Sequence, residues 1–283
     1  MYSNYSIVRL IPILLLLTAL IACDTIDSVT IEDTDETTDT ELTVTTISTE
    51  DIYLHATLSL DSDSLFVEVL VRNTDGDDIN LTNGDSITIN LGAEDITLEK
   101  KVVGIFLCYF TELYCERIYY RATIPAEELF NHHAQIKFLR QYSKDAVNNF
   151  VSIPDNKMLS PSTNDIYSRS TDDIYVEWSD PLISNTNVEL TAFGDYYTGT
   201  TEFSEYIYYG AMNLTDNGHH IIPAGSIKIN NQNGSLEHEA LQQNILLNIR
   251  VKRTRIGTTD NTLLKNSHIR ATTTSSVSVY SKP

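Results

Sequence analysis

The sequence predicts an all-β protein built from antiparallel β-sandwiches. Apolar and polar residues alternate over short runs in residues 46–283, the pattern of strands that bury one face. Turn dipeptides such as Asn83-Gly84 and Asn233-Gly234 separate the runs, and the runs recur at the spacing typical of sandwich strands. We expect this organisation: a signal peptide (1–22), an acidic Thr-rich tether (23–45), a first β-sandwich (46–155) and a second one (170–283).

The first 22 residues have the features of a signal peptide. Arg9 is the one basic residue before an almost purely apolar stretch from Leu10 to Ile21. That stretch is shorter than the about 20 residues that a membrane-spanning helix needs. No basic stop follows it, so we expect an exported chain rather than one with a permanent membrane helix.

The residues Leu20-Ile21-Ala22-Cys23 resemble the lipobox of bacterial lipoproteins. The resemblance implies that the chain is cut before Cys23 and that Cys23 carries acyl chains such as palmitate. Two or more acyl chains anchor a protein stably, whereas one binds only marginally. The alternative is an ordinary signal peptide cut at a small-residue site, with Cys23 as a free thiol. Asp24 resembles an inner-membrane retention signal of enteric bacteria, but other bacteria read it differently, so inner membrane, outer membrane and either face stay open.

Residues 24–51 contain many acidic residues and threonines, with no Lys, Arg or aromatic residue. Such a segment buries too little apolar surface to offset its chain entropy, so we expect a disordered, extended tether. Its end, Leu42 to Ile47, is alternatively an acidic edge strand. The carboxylates lack the loop spacing of a calcium site. The net charge of -20 argues against nucleic acid or anionic lipid as a partner.

Individual strands follow from the alternation. Leu65, Val67, Val69 and Val71 share one face in the first block. In the second block the inward residues are expected to be Ile245, Leu247, Ile249 and Val251 on one strand, with Val277 and Val279 on the last strand. Other predicted strands are Ile52 to Leu60, Ile87 to Leu91, Val102 to Tyr109, Tyr114 to Ile124, Gln135 to Arg140, Ile174 to Trp178, Val188 to Leu190 and Ile227 to Ile229, with a helical turn at Pro125 to Phe130.

The second block resembles a known class of domain. Asp173 to Trp178, followed by a strand at Val188, is similar to the second and third strands of fibronectin type III or immunoglobulin-like domains. The resemblance implies that Trp178 fills the core. Ile222 to Ser226 and Arg253 to Gly257 are similar to segments of uncharacterised bacterial envelope lipoproteins. These resemblances imply tandem sandwiches on the cell envelope and no particular activity.

Cys108 and Cys115 lie seven positions apart in the first block. In an oxidising envelope compartment such a pair is expected to form a disulfide across a hairpin. A zinc site is the weaker interpretation, because zinc needs four ligands and no histidine lies nearby in sequence. The spacing also differs from the Cys-x-x-Cys pattern of redox-active pairs.

No motif predicts catalysis, a metal or a cofactor. The doublets His132-His133 and His219-His220 place neighbouring rings on opposite faces of a strand, which does not suit one metal ion. The sequence contains neither a nucleophile elbow nor a phosphate-cradling glycine loop. Carboxylate pairs such as Glu127-Glu128 gain catalytic roles only if their environments separate their pKa values.

Tyrosines crowd into one stretch of the second block. Tyrosine is favoured at recognition surfaces because it offers a large contact area with a polar tip. The alternative is a core face with a cross-strand aromatic ladder. A run of basic residues, Arg250 to Lys282, is expected to be a solvated face that protects an edge. The candidate binding surface consists of Tyr196, Tyr197, Tyr206, Tyr208 and Tyr209.

We therefore predict a lipid-anchored envelope protein that acts as a non-enzymatic binding, adhesion or structural module. Its expected partners are the membrane, through the anchor, and an envelope protein or glycan. The alternative is an envelope-associated hydrolase whose carboxylates converge only in three dimensions. Fold class by itself does not distinguish these functions.

Overall fold

A computed structural model describes most of the chain after the predicted tether. The described residues are 47–82, 84–92, 94–108, 112–129, 132–155, 157–181, 184–197, 204–230 and 244–283. The predictions for the signal peptide, Cys23 and the tether lie outside these residues. Residues 42–283 form one compact unit.

The described residues form seventeen strands and no α-helix. Those of the first half are β1 (Tyr53–Leu60), β2 (Ser64–Arg72), β3 (Ser86–Asn90), β4 (Asp95–Thr97), β5 (Glu99–Cys108), β6 (Glu112–Pro125), β7 (His133–Leu139) and β8 (Ala146–Ser152). Those of the second half are β9 (Met158–Ser160), β10 (Ile166–Ser168), β11 (Ile174–Trp178), β12 (Thr186–Tyr197), β13 (Ser204–Thr215), β14 (His219–Ile222), β15 (Lys228–Asn230), β16 (Ile245–Ile256) and β17 (His268–Lys282). Short 3-10 turns at Thr49–Asp51 and Ala126–Glu128 complete the elements.

The strands assemble into one long sheet and two small ones. The long sheet has ten strands, in the order β15-β13-β12-β16-β17-β1-β2-β6-β5, with β10 also paired to β17. The small sheets are β4-β3-β7-β8 and β14-β11-β9. Most strand pairs are antiparallel. Each small sheet packs against the long sheet through a hydrophobic core. The prediction of an all-β antiparallel sandwich fold is confirmed.

The first core lies between the strands of the first half. The residues predicted to share a face of β2, Leu65 to Val71 in steps of two, are all buried. They pack with alternate residues of β1 and with the inner faces of β3 and β7. Leu263, Ile269 and Ala271 of the second half belong to the same core. The first core is therefore completed by residues from the end of the chain.

The second core contains the tryptophan. Trp178 is buried with Ile174 and Val176 of β11, and these residues pack against β12 and β16. On β16, the four residues predicted to face inward are all buried. Alternation in the sequence therefore located both faces of this strand.

The last strand, β17, joins the two cores. Its odd-numbered residues lie on one face, because Ile269 and Ala271 enter the first core and Val279 enters the second. On its first half β17 pairs in parallel with β1, from His55↔His268 to Leu60↔Thr273. One continuous sheet therefore crosses the predicted boundary between residues 155 and 170.

The buried ion pair of Arg140 and Asp85 holds the start of the folded chain in place. Arg140 donates from Nε to Asp85 Oδ2 at 2.7 Å, and both side chains are almost fully buried. Its other nitrogens donate to the carbonyl of Ile47 at 2.9 Å and to Thr49 Oγ1 at 3.2 Å. Thr49 Oγ1 donates in turn to the carbonyl of Lys144. The residues that follow the predicted tether are thus held against the first core.

A second buried ion pair corrects an expectation for the basic run. Arg253 was expected on a solvated face, yet only 1% of it is exposed, and Asp216 is 0% exposed. The guanidinium donates to Asp216 Oδ2 from Nε and Nη2, at 3.1 and 2.8 Å. Its remaining N–H groups donate to the carbonyls of Asp155, Ser179 and Asp180. All five donors are used, which is why the charge is accommodated inside.

The loop between β16 and β17 is tied to the first half. Asp260 Oδ2 accepts hydrogen bonds from the N–H groups of Val147 and Asn148, at 3.1 and 2.9 Å. Burial alone would raise the pKa of Asp260, but donors from Thr262 and Asn148 outweigh it and lower that pKa. The carboxylate therefore stays charged where it joins the halves.

Candidate functional site

A cavity of about 780 Å³ lies at one end of the long sheet, beside β13 and β15. We call it the tyrosine cavity, because two of the five predicted surface tyrosines line it. Its size is within the range of ligand-binding clefts. The lining residues are Tyr208, Tyr209, Gly210, Ala224, Gly225, Ser226 and Lys228.

Tyr208 presents an exposed ring to this cavity. The side chain is 41% exposed. A Cβ at position 210 would overlap the hydroxyl of Tyr208, so the ring lies along the strand over Gly210. Tyr208 therefore forms a flat aromatic surface that depends on the glycine two positions later.

The neighbouring strands add further groups to the same face. Across the ladder, Tyr208 stands opposite Lys228 of β15 and Phe193 of β12. The guanidinium of Arg250 lies 5.1 Å from the centre of the Phe193 ring, a cation–π distance. Two aromatic residues are thus flanked by two cations on a chain whose net charge is -20.

A turn formed by residues 223–226 also lines the cavity. Gly225 has a φ of +72°, a conformation that glycine adopts without strain, as at the third position of a type II turn. The N–H of Ser226 donates to the carbonyl of Pro223 at 3.1 Å and closes the turn. Asp173 Oδ1 accepts from the N–H of Ala224 at 2.8 Å. The turn is therefore held in place before any ligand arrives.

Tyr209 forms the inner side of the cavity. It is half-buried against the second core, and its hydroxyl lies 2.9 Å from Nε2 of His220. Burial raises the pKa of Tyr209, while burial and, secondarily, the nearby His219 lower the pKa of His220. A neutral imidazole and a protonated phenol are therefore favoured, and they support the cavity wall.

The structure separates the tyrosines that the sequence grouped together. The Tyr208 side chain is exposed, whereas the Tyr209 side chain is half-buried against the second core. The backbone pairs Tyr196 with Glu205, Tyr197 with Ser204 and Tyr206 with Asp195. The side chains of Tyr196, Tyr197 and Tyr206 lie outside the described residues.

The two predicted disulfide partners lie on neighbouring strands, β5 and β6. The ladder pairs Cys108 with Glu112, and Cys115 with Ile105. The two cysteines are therefore offset by three positions in the ladder, which is about 10 Å along the strands. A disulfide needs Cα atoms within about 7 Å of each other. Their side chains lie outside the described residues, and a bridge would require a different local register.

The predicted chemistry-bearing residues are dispersed. In the second half of the chain, His220 forms a hydrogen bond with the hydroxyl of Tyr209. In the first half, Nδ1 of His133 lies 2.9 Å from the hydroxyl of Ser152. Glu127 lies in the 3-10 turn after β6. Within the described ranges, no group of three or more His, Cys, Asp or Glu side chains could hold a metal ion. None of the helices in those ranges is long and apolar enough to cross a membrane.

Sequence reasoning did not identify Gly210 or Lys228 as site residues. The segment from Ile222 to Ser226 resembles envelope lipoproteins in sequence, and in the structure it contains the turn that lines the cavity. A Pro-x-Gly turn directly before a strand was the available signal. Comparison with known proteins found no family model that matches this chain and no curated protein significantly similar to it.

Proposed function

We propose that the protein is a lipid-anchored, non-enzymatic recognition module of the bacterial cell envelope. The lipobox-like residues ending at Cys23 support the anchor, and the acidic segment after them supports a tether. The observation that carries the recognition function is the tyrosine cavity, which is lined both by an exposed aromatic ring and by a turn that its own hydrogen bonds hold in place.

The geometry favours an acidic glycan as the ligand. The Tyr208 ring offers a flat apolar surface on which the C–H face of a sugar ring can rest. The ammonium of Lys228, opposite Tyr208 in the ladder, is placed to pair with a carboxylate. Because the turn at 223–226 is already hydrogen-bonded, little ordering entropy is lost on binding.

A glycan array tests this proposal with the soluble form that begins at Asp24. We expect selective binding to carboxylated polysaccharides over neutral ones. Tyr208→Ala should weaken the best interaction about tenfold, the equivalent of about 1.4 kcal/mol. The matched control is Tyr142→Ala, because Tyr142 is 69% exposed in a distant turn and should contribute nothing.

A second variant tests the flat ring without removing it. Gly210→Ala adds one methyl group where the Tyr208 hydroxyl now lies, so the ring must swing away from the strand. We expect weaker glycan binding with an unchanged melting temperature, because the displaced group is the exposed end of a flexible side chain. The proposal fails if the array shows no selective glycan, or if Tyr208→Ala and Tyr142→Ala bind equally.

A further inference from the structure

A second cavity lies where the long sheet is interrupted. β17 pairs in parallel with β1 as far as Leu60↔Thr273 and with β10 from Ile166↔Tyr280. β1 and β10 thus occupy the same side of β17 in succession. At about 3.3 Å per residue, the pairs that end these two ladders are about 23 Å apart along β17. Among the described residues, no strand lies beside residues 274–279 on this side, and we call the space the strand gap.

The backbone of β17 directs hydrogen-bonding groups into the strand gap. On this side the carbonyl of Ser278 accepts from the N–H of Asn164 at 3.3 Å, and the N–H of Tyr280 donates to the carbonyl of Asp165 at 2.8 Å. Because backbone direction alternates along a strand, the even-numbered residues point this way. Ser276 is the even-numbered residue at the centre, and none of the described strands pairs with it on this side. Its N–H and carbonyl therefore point into the gap, where none of the described strands pairs with them.

The strand gap contains a cavity of about 620 Å³ with mostly polar walls. The turn at Asp61 and Ser62 closes one end, and the loop at Ser162 and Thr163 closes the other. The remaining lining residues are Met158, Leu159, Pro161, Arg250, Thr274, Ser275, Ser276 and Val277. The described lining contains no aromatic ring, unlike the tyrosine cavity, so it lacks a stacking surface for a sugar.

We propose that the strand gap binds a short extended peptide, which adds to β17 between β1 and β10. Such β-strand addition draws its affinity from main-chain hydrogen bonds, and Ser276 supplies a donor and an acceptor for them. The gap is one strand wide, because β1 and β10 fill the same position on either side of it. Asn164 and Asp165 already pair with Ser278 and Tyr280 on this side. Residues 274–277 of β17 therefore remain for the occupant, which limits it to about four residues. This site is separate from the tyrosine cavity and does not depend on the glycan.

Fluorescence polarisation with a pooled library of labelled, N-acetylated tetrapeptide amides tests the proposal on the soluble form from Asp24. The library includes Thr-Leu-Ser-Leu, the sequence of residues 57–60, which already pairs with β17 in parallel. We expect saturable binding with broad sequence tolerance. Methylating alternate amide nitrogens of a bound peptide should abolish its binding, because it removes the donors that face β17.

Two substitutions at one residue separate main-chain from side-chain recognition. Ser276→Pro removes the N–H that faces the gap and leaves the ladder with β16 intact, so peptide binding should fall at least tenfold. Ser276→Ala keeps the backbone and should bind like the wild type, as should Tyr208→Ala. The proposal is overturned if no library member binds, if Ser276→Pro and Ser276→Ala bind alike in folded protein, or if N-methylated peptides bind the wild type as well as their parents. The last comparison needs no variant, so it decides the matter even if Ser276→Pro does not fold.

Discussion

At the scale of single residues, Arg250 and Arg253 lie on opposite faces of β16 and have different surroundings. Arg253 is buried with Asp216, and Arg250 is exposed above Phe193. Their sequence context is nearly the same, since both lie in an alternating run. The buried position was not predictable because the partners of Arg253 come from distant segments. Asp216 also accepts from the indole N–H of Trp178 at 2.6 Å, which joins the tryptophan to this network.

Because one arginine is buried and the other exposed, replacing each with methionine should change the free energy of unfolding by different amounts. Arg253→Met leaves the Asp216 carboxylate buried without its cation, which should lower the free energy of unfolding by about 3 to 5 kcal/mol. Arg250→Met removes an exposed cation–π contact and should cost about 1 kcal/mol or less. Urea denaturation of both variants measures the difference. Equal losses would contradict the role given to the buried pair.

Two half-buried histidines predict how stability changes with pH. Burial, followed by the charges of His268 and Arg72, lowers the pKa of His55, which is ordinarily 6.5. Burial and His219 lower the pKa of His220. As the pH falls below about 6.5, the unfolded chain binds protons before the folded one does, so stability decreases.

The melting temperatures at pH 7.5 and pH 5.5 test this sign. The wild type should lose more stability on acidification than the double variant His55→Gln/His220→Gln. The carboxylates with lowered pKa, such as Asp260, titrate at lower pH and leave this comparison unaffected. An identical decrease in both proteins would show that other groups cause it.

At the scale of elements, alternation located the strands but not their partners. The inward residues of β2 and β16 were predictable, because the period of two is a local property of the sequence. The parallel pairing of β1 with β17 was not, because no local signal relates strands that are separated by most of the chain. The tyrosine cavity combines both cases: the tyrosine-rich stretch was recognisable in the sequence, and the neighbours of Tyr208 across the ladder were not.

The first element of the fold predicts where the chain can be shortened. A chain that begins at residue 47 keeps the contacts of Arg140 with Ile47 and Thr49, so it should melt at the temperature of the chain that begins at Asp24. A chain that begins at Tyr53 loses these acceptors and the fully buried Ile52. It should be less stable by about 3 kcal/mol or more. Equal melting temperatures for all three would contradict the anchoring of this segment.

At the scale of the whole molecule, the shared strand predicts cooperative unfolding. β17 supplies Ile269 and Ala271 to the first core and Val279 to the second, so melting of one core exposes the edge of the other. Calorimetry should show one transition. Ile269→Ala and Val279→Ala should each move that transition as a whole, and a fragment of residues 46–155 should not fold alone. Two separate transitions would mean that the halves are independent domains.

A recognition function also requires that the tyrosine cavity is occupied in the living cell. A photo-crosslinking amino acid placed at Tyr208 of the full-length protein in cells measures this directly, with the same amino acid at Tyr142 as the control. We expect a discrete adduct from position 208 that contains glycan and is lost in the Gly210→Ala background, and none from position 142. No adduct from position 208, or the same adducts from both positions, would contradict the recognition function.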